Sequence, residues 1–300
     1  KSNFRSLHFG RDDILKNIMN KILDGIKIGQ QIQQKIKEDL AKKNIRPGLA
    51  VILVGEDAPS QLYVSKKKKA CQDVGIDFHE YLLESDTSQE HLLETIDFLN
   101  KDEHINAILV QLPLPKQFDT DKIITALDPK KDVDGFHKEN IKDFLKDKSI
   151  ITPGLPLGVL RLIEATGEHL DNKQAVIVSK GKIFSQPMIK ILEDRHMQVK
   201  LIKPDDKDLK TITSKADVLI VSCGQAFLIK EDMVKKDAIV IDIGINKIDN
   251  DYVVGDVDYS SVFEKVKFIT PVPGGVGPMT IAMLLYNTVE LAKTLSEAEG

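Results

Sequence analysis

The sequence predicts an α/β protein of two domains, an N-terminal α/β domain followed by a doubly wound one. Three observations predict it. Short continuous apolar runs, Leu49-Ala-Val-Ile-Leu-Val-Gly55 and Ala107-Ile-Leu-Val-Gln-Leu112 among them, have the pattern of parallel strands covered on both faces. Segments of helical spacing lie between these runs. A chain of 300 residues, 42% of them hydrophobic, can bury two medium cores.

Taken in order, the first helix runs from about Lys27 to Lys43 and sets Ile28, Ile32, Ile36 and Leu40 four residues apart on one face. The strand Leu49–Gly55 follows, then helices over roughly Pro59–Val74 and Ser88–Asn100, then the strand Ala107–Leu112: a βαβ half. A turn at Thr152-Pro-Gly-Leu-Pro156 opens the second half, whose strands are Ala175–Val178, Asp217–Val221 and Ala238–Ile243. The boundary near Ile150 separates a first domain, 1–150, from a second, 151–279. Thr280 to Leu295 reads as a final amphipathic helix. No internal repeat or low-complexity linker interrupts this layout.

Charge is nearly balanced, 42 basic against 46 acidic residues, and no window is basic enough for nucleic acid to be the main partner. No apolar run reaches the length of a membrane span. Cys71 and Cys223 lack metal-ligand spacing, so no metal site is expected and a reducing, cytoplasmic location is; an organelle reached by a removed presequence stays open. The segment 1–20, which starts at Lys1, is read as a tag remnant, a processed end or a natural extension.

Candidate chemistry gathers at four places. Tyr63 and Lys67 stand four residues apart in Tyr63-Val-Ser-Lys-Lys67 and share a helix face. Gln111 and Asp134, in Val110-Gln-Leu-Pro-Leu-Pro115 and Lys131-Asp-Val-Asp-Gly-Phe136, are polar groups at the ends of apolar runs, where open α/β sheets place their chemistry. Pro271-Val-Pro-Gly-Gly-Val-Gly-Pro-Met-Thr280 is a glycine-rich string leading into the last helix. Each has a plainer reading: a lysine run as solvated helix face, Asp134-Gly135 as a turn, the glycines as a tight turn before a helix.

Together and in this order, these segments resemble the methylenetetrahydrofolate dehydrogenase/cyclohydrolase family over nearly the whole chain. The resemblance implies oxidation of 5,10-methylenetetrahydrofolate to the 5,10-methenyl cation with a nicotinamide dinucleotide, and hydration of that cation to 10-formyltetrahydrofolate. It implies a folate-binding first domain, 1–150, on which a C-terminal helix within 280–300 folds back, and a Rossmann-like dinucleotide-binding second one, 151–279. Lys67 is then the base, its pKa lowered by burial and by the neighbouring lysines; Tyr63 orients it and stacks on the folate, Gln111 holds its amine, and Asp134 holds the pterin nitrogens. Val110, Leu112, Pro273, Gly274, Gly275 and Gly277 complete the expected folate contacts. Thr152, Ser179, Lys180, Gly181, Ser185, Pro187, Lys203, Gly224 and Ile245 stand at the family's dinucleotide positions. A homodimer pairing through the second domain is implied as well.

The departures lie on the dinucleotide side. Ser179 and Ser185 stand where the family has glycine, Lys180 where it commonly has arginine, and Lys203-Pro-Asp-Asp206 puts two carboxylates where a 2′-phosphate would lie. NADP is the dinucleotide the resemblance implies, and NAD or a degenerate pocket with cyclohydrolase activity alone are the alternatives. A non-catalytic folate-binding protein is the competing class, and a different doubly wound dehydrogenase a third.

Overall fold

A computed structural model describes residues 21–248 and 252–298. The segment 1–20 lies outside them. The chain forms two compact units, one of residues 30–154 and 281–298, the other of residues 21–29 and 155–280.

The unit of residues 30–154 is built on a three-stranded parallel sheet. Helix α1, Gly25–Lys43, leads in; it starts two residues before the expected Lys27 because the Asp24 carboxylate accepts the Ile26 and Lys27 backbone N–H groups. Ile32, Ile36 and Leu40 are buried as their spacing requires. Strand β1, Gly48–Val54, is buried along its whole length and lies between β2, Asp77–Leu83, and β3, Ala107–Val110. The edge strand β2 escaped the sequence reading because Asp77, His79 and Glu80 interrupt its apolar residues and none of its residues is fully buried. Helices α2, Ala58–Val74, and α3, Gln89–Lys101, alternate with these strands, and Leu92, Ile96 and Leu99 of α3 enter the core with Ala50, Ile52, Ile108 and Val110. Helices α4, Thr120–Ala126, and α5, Lys138–Phe144, follow.

The expected turn at Thr152–Pro156 is instead the start of helix α6, Gly154–Ala165. Pro156 fits there because the first N–H groups of a helix have no intrahelical partner, so its missing donor leaves nothing unpaired.

The unit of residues 155–280 carries a five-stranded parallel sheet in the order β10-β7-β6-β4-β5. Its strands are β4, Gln174–Ser179; β5, Gln198–Ile202; β6, Val218–Ser222; β7, Ile239–Asp242; and β10, Phe268–Ile269. Helices α7, Lys182–Glu193, and α8, Leu209–Thr213, connect the first three. A hairpin of β8, Asn246–Ile248, and β9, Tyr252–Val254, then leads to the short helix α9, Tyr259–Val262. Residues 21–23 extend the sheet edge beside β10, where the Leu23 N–H donates to the Ile269 carbonyl at 2.8 Å.

The last helix, α10, runs from Val276 to Ala298 rather than from Thr280. It therefore starts inside the glycine-rich string, with Gly277 and Pro278 in its first turn. No helix among the described residues is long and apolar enough to cross a membrane.

Candidate active site

The lysine run of α2 is sorted by helical geometry. Asp57 caps the helix, its carboxylate accepting the Ser60 N–H at 2.9 Å, and Gly75 ends it in the left-handed conformation at φ 95°. Ser60, Val64, Cys71 and Val74 form the buried stripe. Lys67 lies on that stripe, three residues after Val64 and four before Cys71, and Tyr63 is one turn before it. The neighbouring amines go elsewhere: Lys68 pairs with Glu80 at 2.7 Å, Lys69 with Asp73 at 3.0 Å, and Lys66 sits 5.8 Å from the centroid of the Tyr63 ring.

At the end of β3 the Gln111 N–H still donates to the Ile52 carbonyl, but the strand stops because Pro113 and Pro115 lack donors to continue the ladder. The Gln111 side chain turns inward. Its Nε2 donates to the Leu112 carbonyl at 2.7 Å, which orients the amide so that Oε1 accepts from Lys67 Nζ at 2.8 Å. The loop between α4 and α5 brings in Asp134, whose charge acts directly on Lys67. Lys67, Gln111 and Asp134, separate in sequence, thus meet in one place, with Tyr63 beside them on α2 and Val110 and Leu112 flanking Gln111.

Burial is the dominant electrostatic influence here. It lowers the Lys67 pKa from the ordinary 10.5, against the opposing pull of the Asp134 carboxylate and the Cys71 thiol. The expected contribution of the adjoining lysines is absent from this balance, because their amines are engaged on other faces of α2. Burial also pushes the Asp134 carboxyl up to about 6, although the Lys67 charge draws it down and Asp132 adds to the rise. The buried Cys71 thiol is pushed up to about 12 and is held as a neutral group. A desolvated amine with a neutral form within reach, oriented by an amide and flanked by a carboxylate, is suited to taking a proton from water.

In the other unit, β4 ends at Ser179 and α7 begins after Gly181, which stands at the N-cap with no side-chain cap bond. The two serines in glycine positions turn their hydroxyls onto Gly181. Ser179 Oγ accepts the Gly181 N–H at 3.3 Å and Ser185 Oγ donates to the Gly181 carbonyl at 2.7 Å. Both serines are buried, at 5% and 1% exposure, so their bulk is accommodated inside the turn rather than in front of it. A Cβ on Gly181 would meet nothing within 4 Å. The open approach to an uncapped helix start fits a dinucleotide phosphate. Lys180 is exposed next to it, Pro187 is buried in the second turn of α7, and Lys203, Asp205 and Asp206 are exposed after β5.

Gly224, at φ 62°, follows β6, and its neighbourhood is organised by two buried carboxylates that the sequence reading missed. Asp256 Oδ2 accepts the Cys223 and Gly224 N–H groups, and its Oδ1 accepts those of Gln225 and the Asn246 amide. Asp242 accepts the Gly244, Asp256 and Val257 N–H groups. Burial holds the Asp242 carboxyl above the ordinary range even though these donors pull it down. Ile245, next to Gly244 in the chain, is 59% exposed. The two carboxylates need glycine opposite them. A Cβ on Gly255 would lie 1.8 Å from Asp242 Oδ2, and one on Gly244 would lie 2.3 Å from Asp256 Cγ. Gly255→Ala is accordingly expected to destabilise the protein by about 3 kcal/mol or more, measured as a lowered urea midpoint. An unchanged midpoint would show that the loops yield freely.

The glycines of Pro273–Gly277 belong to this same unit, and two of them answer to their own chain. Gly274 adopts φ 110°, and a Cβ on Gly275 would strike the Pro271 carbonyl at 2.6 Å, while the Gly275 carbonyl fills the space beside Gly25. Thr152 falls in the unit of residues 30–154, where its carbonyl accepts the Asn287 amide at 2.9 Å. No group of acidic, histidine and cysteine residues suited to a metal ion occurs among the described residues.

Residues 23–134 match the catalytic domain of tetrahydrofolate dehydrogenase/cyclohydrolase, and residues 153–296 match its NAD(P)-binding domain. The bifunctional protein FolD of Acetivibrio thermocellus is 45% identical over 276 residues, covering 91% of this chain and 97% of that protein. The structure of bifunctional FolD, methylenetetrahydrofolate dehydrogenase/cyclohydrolase, from Campylobacter jejuni is 43% identical with a TM-score of 0.86, covering 91% of this chain and 98% of that one. FolD of Trypanosoma brucei, solved with NADP cofactor and an inhibitor, is 30% identical with a TM-score of 0.87, covering 91% and 97%. With two matched domains in family order and relatives of this identity along nearly its whole length, the chain belongs to the tetrahydrofolate dehydrogenase/cyclohydrolase family and is an enzyme of folate one-carbon metabolism.

Proposed function

We propose that the unit of residues 30–154 binds the folate and carries both reactions, with Lys67 as the base of the hydration step. The observation that carries this is the Lys67 amine, desolvated on the buried stripe of α2 and held at 2.8 Å by Gln111 Oε1. In the hydration step water adds to the carbon bridging N5 and N10 of the 5,10-methenyl cation. Neutral Lys67 takes a proton from that water to leave a neutral carbinolamine; the hydroxyl of that carbinolamine then gives up its proton as the bond from carbon to N5 breaks and N5 takes up a proton, which leaves 10-formyltetrahydrofolate with one proton released overall. Gln111 keeps the amine lone pair aimed in one direction. Asp134 holds the pterin nitrogens and Tyr63 lies along the aromatic rings, with Val110, Leu112 and Pro273, Gly274, Gly275 and Gly277 as further folate contacts.

For the oxidation step the chain has an NAD(P)-binding domain. The nicotinamide, when bound, accepts the hydride from the methylene carbon. The uncapped start of α7 at Gly181 would receive a phosphate, with Lys180 adding charge, and Gly224, Ile245, Lys203, Ser179, Ser185, Pro187 and Thr152 as the remaining positions proposed to serve it. NADP is the proposed dinucleotide. Asp205 and Asp206, exposed after β5, favour NAD as a second reading, because carboxylates repel a 2′-phosphate and accept a ribose hydroxyl. A homodimer through the dinucleotide-binding unit and a reducing, cytoplasmic location complete the proposal; two buried free cysteines support the latter.

The test supplies methylenetetrahydrofolate with NADP⁺ or NAD⁺ in parallel and follows nicotinamide reduction, with methenyl hydrolysis read separately. Turnover with NADP⁺ preferred tenfold or more is the expected result. Preference for NAD⁺ would reverse the cofactor assignment, and hydrolysis with neither dinucleotide reduced would leave a cyclohydrolase alone.

A further inference from the structure

The loop carrying Asp134 is fixed from both sides by two buried polar residues that take no part in the chemistry above. On the approach, residues 131–133 pair with β3: the Ile108 N–H donates to the Lys131 carbonyl at 2.7 Å and the Val133 N–H to the Ile108 carbonyl at 3.4 Å. Asn287, in the middle of α10 and fully buried, donates Nδ2 to the Val133 carbonyl at 3.0 Å and to the Thr152 carbonyl at 2.9 Å. On the exit, the buried Asp132 carboxylate accepts the His137 N–H at 2.7 Å and Asn140 Nδ2 at 2.9 Å. Gly135 turns the chain at φ 72°, and a Cβ there would press on Pro153 at 3.3 Å. Asp134, whose charge acts on Lys67, thus lies between backbone groups held on either side, those of Val133 and His137.

Asn287 carries a further sign of a role beyond packing. Its buried Oδ1 has no hydrogen-bond partner among the described residues. An unpaired buried acceptor is unfavourable, so asparagine is a poor choice here on stability alone. What it provides is a forked donor that ties the residue before Asp134 to the segment Thr152–Pro153 opposite Gly135.

We infer that Asp132 and Asn287 are positioning residues that hold the Asp134 carboxylate in register beside Lys67 for the folate. This rests on the proposed role of Asp134. It makes a specific demand: removing either residue should act only through Asp134, so its effect should vanish once Asp134 is gone.

The experiment is a double-mutant cycle in the full chain, reading methenyltetrahydrofolate hydrolysis. Asp134→Ala alone is expected to lower kcat/KM about a hundredfold or more, chiefly through KM, since a held pterin contributes to ground state and transition state alike. Asn287→Leu alone should lower it about tenfold, again through KM, and should lower it less than twofold further when added to Asp134→Ala. Asp132→Asn, which keeps the shape and one acceptor, should behave in the same way with a smaller effect. Both single variants should also move the acid limb of the pH–rate profile in the same direction as Asp134→Ala, which a loss of general stability would not do.

Additive losses in the double variants would overturn the inference while leaving Asp134 its role. An Asp134→Ala enzyme with parental kcat/KM would sink the assignment of Asp134 itself and this inference with it. Failure of both Asn287→Leu and Asp132→Asn to fold would overturn it too, by assigning the pair to global stability.

Discussion

Lys67→Met is expected to lower kcat for methenyltetrahydrofolate hydrolysis about 10³-fold, within the range by which a positioned general base accelerates proton transfer. The fold should be undisturbed. Methionine fills the aliphatic path of lysine along the buried stripe of α2 and removes a charge whose burial is unfavourable, so the urea midpoint should hold or rise. Nicotinamide reduction should persist within about tenfold, because hydride transfer itself needs no base. The parental hydrolysis rate should climb with pH and level off below the ordinary lysine value of 10.5, since a lowered pKa exposes the neutral amine earlier. That limb should be missing from the variant. Hydrolysis within tenfold of the parent, or a pH limb that survives the substitution, would take the base role away from Lys67.

Asp134→Asn should separate stability from activity. Burial raises the Asp134 carboxyl from 3.8 to about 6, so across this window the folded protein binds a proton that the unfolded chain has already lost. Stability from this group therefore falls as pH rises from about 4 to about 6 and remains lowered above it. Asparagine removes the effect, and the variant should exceed the parent in stability by about 1–3 kcal/mol at pH 8, with the difference closing toward pH 4. Urea denaturation at the two pH values reads this directly. Activity should go the other way, with kcat/KM for hydrolysis down about 10²-fold through loss of a charge-assisted pair to the substrate. The residual hydrolysis should also shift its acid limb to lower pH, because the Asp134 charge is one of the influences that raise the Lys67 pKa. A gain in stability that grows toward pH 4 would contradict the cause assigned to the Asp134 shift.

The fold was legible wherever one segment answers to one local pressure. Buried strands such as β1 and β6 are continuous apolar runs, and α1 announces itself through isoleucines four apart. β2 was not legible, because an edge strand needs little apolar surface and its signal lies in its pairing with β1. Helix starts shifted by two residues at α1 and four at α10, and α6 begins inside an expected turn, where a capping carboxylate or a first-turn proline decides the boundary.

Tyr63, Lys67, Gln111 and Asp134 were named from residue order, and their spacing put Tyr63 and Lys67 on one helix face. Which of four consecutive lysines is desolvated follows from the register of α2 against β1 and β2, something only packing can set. For the same reason the neighbouring lysines were given a share in lowering the Lys67 pKa, when burial does the lowering. Asn287, Asp242 and Asp256 act by accepting from or donating to backbone groups brought from other segments, up to 154 residues away in the Asn287–Val133 bond, whereas Asp132 bonds within its own loop. Asn287 alone left a trace in the chain, as an amide inside the apolar face of a helix.

By itself, then, the sequence determined the α/β class and the division into two halves, because hydrophobic periodicity is a local property of the chain. Only the tertiary structure decided which amine is desolvated, which serines turn inward onto Gly181 and which buried polar groups hold the Asp134 loop, because desolvation and hydrogen-bond partnership depend on what other segments bring to the same place.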